Sequence, residues 1–225
     1  MSNAVRGVIL DMDGTLVDSN GAHAQTWVDT LKQFGYDVTL EVVRPLIGQG
    51  GDKMLPRLTG CSKDSDIGQS ITAQRSELFE QQYLPAIQPF PGSRKLVEHM
   101  HNYGLRLVIA SSSSQAHLNR LIEAVNIGHF IDSATSASDV GGSKPDPDVI
   151  EAALSRLELD AGEVMMIGDT PYDIEAAARV GVRTIALRCG GWDEEDLTGA
   201  VAVYADPAEL LARFASSPLA GHADD

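Results

Sequence analysis

Short apolar runs that alternate with stretches of helical periodicity are the feature that most restricts the fold of this 225-residue chain. Five such runs have the apolar character of strands that are buried on both faces: Val5–Leu10, Leu105–Ala110, Val164–Ile167, Arg183–Leu187 and Val201–Tyr204. Apolar residues recur at helical spacing over residues 93–103, 115–126, 147–157, 172–180 and 207–214. Strands that alternate with helices predict an α/β fold, in which a parallel sheet carries helices on both faces.

The segment between Asn20 and about Ile87 breaks this alternation, because it contains no convincing strand. Trp27, Leu31 and Phe34 are spaced at i, i+4 and i+7, which indicates an amphipathic helix. Asp64–Leu84 has the pattern of a longer helix. The segment therefore has the character of a helical insertion placed after the first strand.

This insertion predicts a two-part organisation. We expect a sheet domain formed by residues 1–18 and 88–225, and an inserted α-helical cap domain formed by residues 19–87. A helical lid beside a catalytic edge is a recurrent means of excluding water and selecting a substrate.

The formal net charge of −15 limits the possible partners. A nucleic-acid polymer requires a basic surface, so we expect none to bind, whereas a local cation can still hold a small phosphorylated metabolite. No apolar stretch reaches the roughly 18 residues of a membrane span, and the N-terminus lacks a signal-peptide pattern. We therefore expect no membrane partner, a cytoplasmic location by default, a monomer or weak homo-oligomer, and reduced thiols at Cys61 and Cys189.

The strongest local pattern is Val8-Ile9-Leu10-Asp11-Met12-Asp13-Gly14, in which an apolar strand ends in two carboxylates. Side chains two apart on an extended chain point the same way, so Asp11 and Asp13 can face one site beyond the carboxyl end of the strand. Paired carboxylates can bind a hard cation or divide the work of nucleophile and acid. The alternative is an Asp-rich turn without a chemical role.

Two further motifs lie at the ends of predicted elements, one between a strand and a helix and the other just before a helix. Ser111-Ser112-Ser113-Ser114 joins a strand to a helix, where hydroxyls and free backbone N–H groups bind phosphate oxygens. One serine, Ser113 or Ser114, is expected to do no more than cap the helix. Gly141-Gly142-Ser143-Lys144-Pro145 places a lysine where it could neutralise a phosphate, although a solvated loop lysine is the commoner outcome.

The last motif is Gly168-Asp169, which follows a predicted strand, with Asp173 four residues later. Asp169 could complete the oxygen shell of a magnesium ion. Asp173 could bind the same ion, or it could cap the helix and orient Lys144. Because the carboxyl ends of parallel strands meet at one edge, the four motifs converge there, and they supply the positioning and charge neutralisation that phosphoryl transfer needs.

Taken together, these motifs resemble the haloacid dehalogenase (HAD) superfamily. Asp11-Met12-Asp13-Gly14-Thr15 resembles its first motif, Ser111 its second, Lys144 its third, and Gly168-Asp169 with Asp173 its fourth. The resemblance spans essentially the whole chain, including a helical cap of the C1 type. It implies a Rossmann-like core, Mg²⁺ as cofactor and an aspartyl-phosphate intermediate.

The resemblance also implies a role for each matched residue. Asp11 would be the nucleophile and Asp13 the general acid and base. The phosphoryl group would be bound by Ser111, Lys144 and the backbone of Ser112. The implied ligands of Mg²⁺ are Asp11, the backbone carbonyl of Asp13, Asp169 and, in one of its two interpretations, Asp173.

The resemblance leaves several activities open. Asp13 is absent from true dehalogenases, so the expected activity is that of a phosphatase acting on a small phosphate monoester, similar to phosphoglycolate phosphatases. The first alternative is a β-phosphoglucomutase-like enzyme, because His23 and Trp27 share a helix face and match a His-x-x-x-Trp motif. The same two residues could be plain cap packing, and the arginine that the mutase pattern places close to Gly51 is missing.

The cap offers candidate substrate contacts. Ile47-Gly48-Gln49-Gly50-Gly51-Asp52-Lys53 resembles a substrate loop, in which Gly48 and Gly50 allow close backbone approach and Lys53 could meet an acidic substrate, together with His23. Less favoured alternatives are a phosphonatase, for which Lys32 or Lys53 would have to form a Schiff base, and a non-catalytic binding module. The remaining histidines, His117 among them, show no metal-ligand spacing and are expected to be ordinary surface or helix residues.

Overall fold

The computed structural model describes residues 4–136 and 139–220. A six-stranded sheet, parallel throughout, has the strand order β3-β2-β1-β4-β5-β6. The strands are β1 (Gly7–Leu10), β2 (Arg106–Ala110), β3 (Ser133–Thr135), β4 (Val164–Gly168), β5 (Arg183–Leu187) and β6 (Ala202–Tyr204). The α/β prediction is therefore confirmed, and each predicted strand is present; β3 is an additional edge strand that the sequence did not predict.

Helices connect the strands and form the insertion. They are α1 (Asn20–Gln33), α2 (Leu40–Val43), α3 (Gly51–Thr59), α4 (Asp66–Leu78), α5 (Ser93–Asn102), α6 (Gln115–Val125), α7 (Asp148–Leu157), α8 (Pro171–Arg179) and α9 (Pro207–Ala212). The long helix predicted over Asp64–Leu84 is in fact α4 followed by a π-helix, Phe79–Tyr83. Within the described ranges, no helix is both long and apolar enough to cross a bilayer.

The sheet is buried on both faces, as β1 illustrates. Val8 and Leu10 belong to the hydrophobic cluster that contains residues of α5, α6 and α9, whereas Ile9 belongs to the cluster formed with α7 and α8. All three side chains are fully buried, and burying one such side chain contributes roughly 1.5–3 kcal/mol. This burial fixes the sheet between two helical layers and leaves the carboxyl edge of its strands available for a site.

Residues 20–86 form the helical insert, which leaves the sheet after β1 and returns before β2. The insert has its own apolar cluster, centred on Trp27, Leu31 and Met54. Its two connecting segments run side by side, since the Asp18 N–H donates to the Gln88 carbonyl at 3.0 Å. The insert thus rests above the carboxyl edge of the sheet on a paired stem.

Candidate active site

Asp11 lies immediately after β1 at the carboxyl edge of the sheet, and Lys144 is its nearest charged partner. The Lys144 ammonium lies 2.6 Å from Asp11 Oδ1, 2.8 Å from Asp173 Oδ1 and 2.8 Å from the Ala110 carbonyl oxygen. It donates hydrogen bonds to Asp11 and to the Ala110 carbonyl, and it forms an ion pair with Asp173. The side chain is 1% exposed, so the alternative of a solvated loop lysine is wrong.

Three buried carboxylates meet beside this lysine. Oxygen atoms of Asp11, Asp169 and Asp173 lie within 4.8 Å of one another. The Thr15 hydroxyl lies between two of them, 2.9 Å from Asp11 Oδ2 and 3.0 Å from Asp169 Oδ1. That hydroxyl is neutral, and its one proton can serve one carboxylate at a time. Three carboxylates against the single charge of Lys144 leave the cluster with excess negative charge.

The pKa values express this excess charge. Burial raises the pKa of Asp11 to about 7 against the opposing charge of Lys144, and Asp173 adds to the rise. Burial, together with Asp11 and Asp173, raises the pKa of Asp169 well above its usual range. Burial alone would lower the pKa of Lys144, but Asp11 and Asp173 outweigh it and raise that pKa, so the lysine stays cationic. An oxygen-only cluster with surplus negative charge fits a hard divalent cation such as Mg²⁺, for which Asp11 and Asp169 are the candidate ligands.

Both carboxylate oxygens of Asp173 contact neighbouring groups of the protein. Its Oδ1 faces Lys144, and its Oδ2 accepts hydrogen bonds from the backbone N–H of Thr170 at 3.0 Å and from the Thr170 hydroxyl at 2.7 Å. These contacts form a capping box at the start of α8. Of the two interpretations of Asp173, the geometry favours the one in which it caps the helix and orients Lys144.

Asp13 lies apart from the three-carboxylate cluster and faces the helical insert. Its carboxylate accepts hydrogen bonds from Ser19 at 2.6 Å and Ser113 at 2.8 Å, and it lies 3.0 Å from His23 Nε2. The Ser111 hydroxyl is at 3.5 Å. Burial opposes its ionisation, but His23 and the two hydroxyls outweigh burial and hold the pKa of Asp13 well below its usual range. Ser114, rather than Ser113, caps α6.

A cavity of about 540 Å³ lies between this edge of the sheet and the helical insert. The site residues predicted from the sequence that line it are Asp11, Asp13, His23, Gly48, Gly50, Ser112 and Asp173. Ser111, Lys144 and Asp169 do not line it; each is at most 1% exposed. Trp27, the partner of His23 in the proposed motif, also lines the cavity.

Lys53 does not join this site. It forms an ion pair with Asp146, two residues after Lys144, and is not among the cavity-lining residues. The neighbouring Ser143 hydroxyl donates to Asp52 and accepts from the Gly50 N–H. Lys53 thus links the helical insert to the loop that carries Lys144. This position does not support the expected contact between Lys53 and an acidic substrate.

His117, which the sequence suggested to be an ordinary surface or helix residue, does lie on helix α6, but it is buried at the cavity wall. It is 4% exposed, its Nε2 lies 2.9 Å from Glu80 Oε1, and its ring packs against Phe79. Burial lowers the pKa of His117. Spacing in the sequence gave no signal for this position, because Glu80 and Phe79 come from the π-helix of the insert.

Asn20 and Arg75 are two further cavity residues that sequence reasoning missed. The Asn20 amide donates to Asp169 Oδ2 at 2.8 Å and to the Gly190 carbonyl at 2.9 Å, and so orients the carboxylate. Its position soon after the first motif was a usable signal. Arg75 comes from α4, and no motif marks it.

Gly190 approaches Asp169 so closely that a side chain cannot fit. A Cβ atom at Gly190 would lie 1.7 Å from Asp169 Oδ2. We therefore expect Gly190→Ala to displace the carboxylate and to weaken Mg²⁺ binding by about tenfold or more, the usual effect of disturbing a ligand's support. The Mg²⁺-induced rise in melting temperature, titrated over concentration, measures this. Gly21→Ala is the control, because no heavy atom lies within 4 Å of its Cβ; equal titrations of both variants would contradict the expectation.

Comparison with known proteins adds independent information on this geometry. The model of the family described as "Haloacid dehalogenase-like hydrolase" matches residues 8–187. A phosphoglycolate phosphatase of Rhodospirillum rubrum is 26% identical over 215 residues, covering 91% of this chain and 89% of the relative. A phosphoglycolate phosphatase of Nitrosospira multiformis is 25% identical over 191 residues, covering 83% of this chain and 84% of the relative.

Solved structures show the same architecture. A hydrolase from Pseudomonas syringae superposes with a TM-score of 0.85 at 28% identity, covering 94% of this chain and 98% of that chain. A beta-phosphoglucomutase-like protein from Bacteroides vulgatus superposes with a TM-score of 0.85 at 23% identity, covering 98% of this chain and 92% of that chain. At that lower identity the likeness concerns the fold alone.

Proposed function

The chain belongs to the haloacid dehalogenase-like hydrolase family, and from this premise we propose that it is a Mg²⁺-dependent phosphatase acting on a small-molecule phosphate monoester. The observation that carries the proposal is the ion pair between Asp11, which lines the cavity, and Lys144, which is buried directly behind it. It supplies a positioned carboxylate beside a cation that can neutralise a phosphoryl group. The relatives named phosphoglycolate phosphatases support this choice of activity.

In the first half of the proposed reaction, Asp11 is the nucleophile. A carboxylate oxygen of Asp11 bonds to phosphorus in line with the bond to the leaving alcohol, which breaks, and Asp13 gives its proton to the departing oxygen. The depressed pKa of Asp13 keeps it ionised in the free protein. A phosphate dianion placed beside it would raise that pKa, because like charges disfavour ionisation, and so would favour the protonated form that the reaction requires.

In the second half, Asp13 is the base. It removes a proton from water, the water oxygen bonds to phosphorus, and the bond between phosphorus and Asp11 breaks to release inorganic phosphate. The Ser111 hydroxyl, the Ser112 backbone and Lys144 would hold the phosphoryl oxygens through both steps. Mg²⁺, held by Asp11 and Asp169 with the Asp13 carbonyl, would neutralise charge on those oxygens.

We propose that the helical insert is the cap domain of this enzyme, with its boundaries near residues 18 and 88. The paired stem at Asp18 and Gln88, and the separate apolar cluster of the insert, support this division. The cap would close over the phosphorylated aspartate and exclude competing acceptors.

Phosphate release from a panel of small esters tests the proposed activity. With phosphoglycolate, sugar phosphates and mononucleotides, we expect inorganic phosphate to be released in the presence of Mg²⁺ and to fall to background with a chelator. Release that persists in chelator would overturn the metal requirement.

The alternative to a phosphatase is a sugar-phosphate mutase. The observation that favours testing it is the contact between His23, of the His-x-x-x-Trp motif, and Asp13. Conversion of β-glucose 1-phosphate to glucose 6-phosphate without release of phosphate would assign the chain to that activity. Absence of both reactions would favour a non-catalytic binding module.

A further inference from the structure

Arg75 is a partly buried cation in the wall of the cavity, on the helical insert, and its Nε atom is fully buried. Its guanidinium stacks over the Trp27 ring with 4.6 Å to the ring centroid, and its Nη2 donates to His23 Nδ1 at 3.2 Å. Because arginine can only donate, Nδ1 of His23 must accept, and the proton on His23 must sit on Nε2, facing Asp13. Arg75 is therefore separated from Asp13 by the width of one imidazole ring.

Arg75 lacks a carboxylate partner among the residues that the structure describes. Lys144 and Lys53 are each paired with aspartates, whereas the hydrogen bond of Arg75 goes to a neutral ring. Burial lowers the pKa of Arg75 to about 10, and Asp13 opposes this only in part. A buried guanidinium without an anion is costly, and the free energy is recovered when an anion binds beside it.

Three hydrogen-bond donors in this part of the cavity wall have no acceptor. Arg75 Nε, Trp27 Nε1 and Gln49 Nε2 are each buried and unpartnered, and all three residues line the cavity. Most buried donors in folded proteins are satisfied, so a set of three needs an explanation. A ligand that presents several acceptor oxygens would satisfy them, and the charge of Arg75 requires at least one of its groups to be anionic.

We propose that Arg75, Trp27 and Gln49 form a subsite for a second anionic group, a carboxylate or a further phosphoryl group, on the leaving-group side of the substrate. The inference rests on the proposed function, because it takes the transferred phosphoryl group to bind at Asp11 and Lys144. The substrate is thus a phosphate monoester with two anionic groups, one reacting at Asp11 and one held at Arg75.

Matched pairs of esters test this subsite. 3-Phosphoglycerate and glycerol 3-phosphate differ by a carboxylate in place of a hydroxymethyl group, and glucose 1,6-bisphosphate and glucose 1-phosphate differ by a second phosphoryl group. We expect kcat/KM to favour the member that carries the second anionic group, in at least one pair, by about 30-fold or more. This is the size of effect known for buried charge pairs. The pair that shows the preference identifies the anion as carboxylate or phosphoryl.

Arg75→Gln should remove the preference while Arg57→Gln keeps it. Arg57 is an exposed arginine on α3 of the same insert and does not line the cavity. The readout is the ratio of kcat/KM within each pair, because a general loss of activity through His23 would lower both members equally. Arg75→Lys should retain part of the preference, since it keeps the charge but loses the fork of donors.

Direct binding separates failure of the subsite from failure of the proposed function. The affinities of each ester pair for the Asp11→Asn variant, measured by calorimetry, should show the same preference for the member with the second anionic group, without turnover. Equal affinities and equal kcat/KM values within both pairs would overturn the subsite while hydrolysis of the esters stood. A binding preference that depends on Arg75, in a protein that hydrolyses no ester, would instead keep the subsite and remove the proposed activity.

Discussion

Replacing Asp11 with asparagine is expected to lower phosphate release at least about 10⁴-fold, since the amide cannot form the covalent intermediate on which both proposed half-reactions depend. The fold should survive, because Asn has nearly the same volume and Lys144 keeps its partner Asp173 at 2.8 Å. Turnover with Mg²⁺ and the best ester of the panel, together with circular dichroism, measures both parts of this result.

The matched control for Asp11→Asn is Asp18→Asn, which removes an exposed carboxylate close by in the chain. Its activity should remain near that of the native protein. Acid-quenched mass spectrometry should detect a phosphoryl group on Asp11 of the native protein and none on the variant. Full activity of Asp11→Asn would remove this residue from the mechanism.

Replacing Lys144 with methionine is expected to lower the free energy of unfolding by about 3–5 kcal/mol, the cost of leaving a buried charge without its partner. Asp11 and Asp173 would lose their shared cation, and the Ala110 carbonyl would lose a donor. For a chain of this length that cost corresponds to a fall in melting temperature of about 6–20 °C. Thermal unfolding without Mg²⁺ measures the fall.

The stability deficit of Lys144→Met should depend on pH in a defined direction. Without the lysine charge, the folded-state pKa of Asp11 rises further above its value in the unfolded chain, so the folded state binds more protons. The stability of the variant then decreases as pH rises through the folded-state pKa of Asp11. Its deficit relative to the native protein should therefore shrink as the pH is lowered from 8 to 5. Lys53→Met is the control, since its partly exposed pair with Asp146 should be worth less than about 1 kcal/mol. Equal melting temperatures for the two variants would contradict the buried-charge account.

Most of the sheet could be predicted from the sequence because its strands are buried on both faces. Runs such as Val164–Ile167 are apolar without interruption and too short for a helix, which is the pattern of a strand buried on both faces. Strand β3 could not be found in this way. Its residues, Ser133–Thr135, are small, two of the three are only partly buried, and their extended form depends on pairing with β2.

The floor of the candidate site was predictable for a related reason. Asp11, Lys144 and Asp169 follow strands or lie just before a helix, and parallel topology brings such positions together whatever the intervening chain does. Arg75 and His117 could not be predicted from motifs. Arg75 lies on α4 of the helical insert, whereas His117 lies on α6 and is buried against the π-helix of the insert, so both positions depend on how the insert packs. Nothing in the spacing of α4 shows which of its faces will meet the cavity.

The position of β1 in the sheet has a consequence for the order in which the protein can be assembled. Of the six strands described, β1 comes first in the chain, yet it lies between β2 and β4, and β4 begins at Val164. A growing chain can pair β1 with β2 once Arg106–Ala110 has been made, but the other edge of β1 stays unpaired until β4 has been made, while the helical insert can already gather its own apolar cluster. An incomplete chain has Asp11 without Asp169. The proposed chemistry at Asp11 would thus become available only after both neighbouring strands have closed around β1.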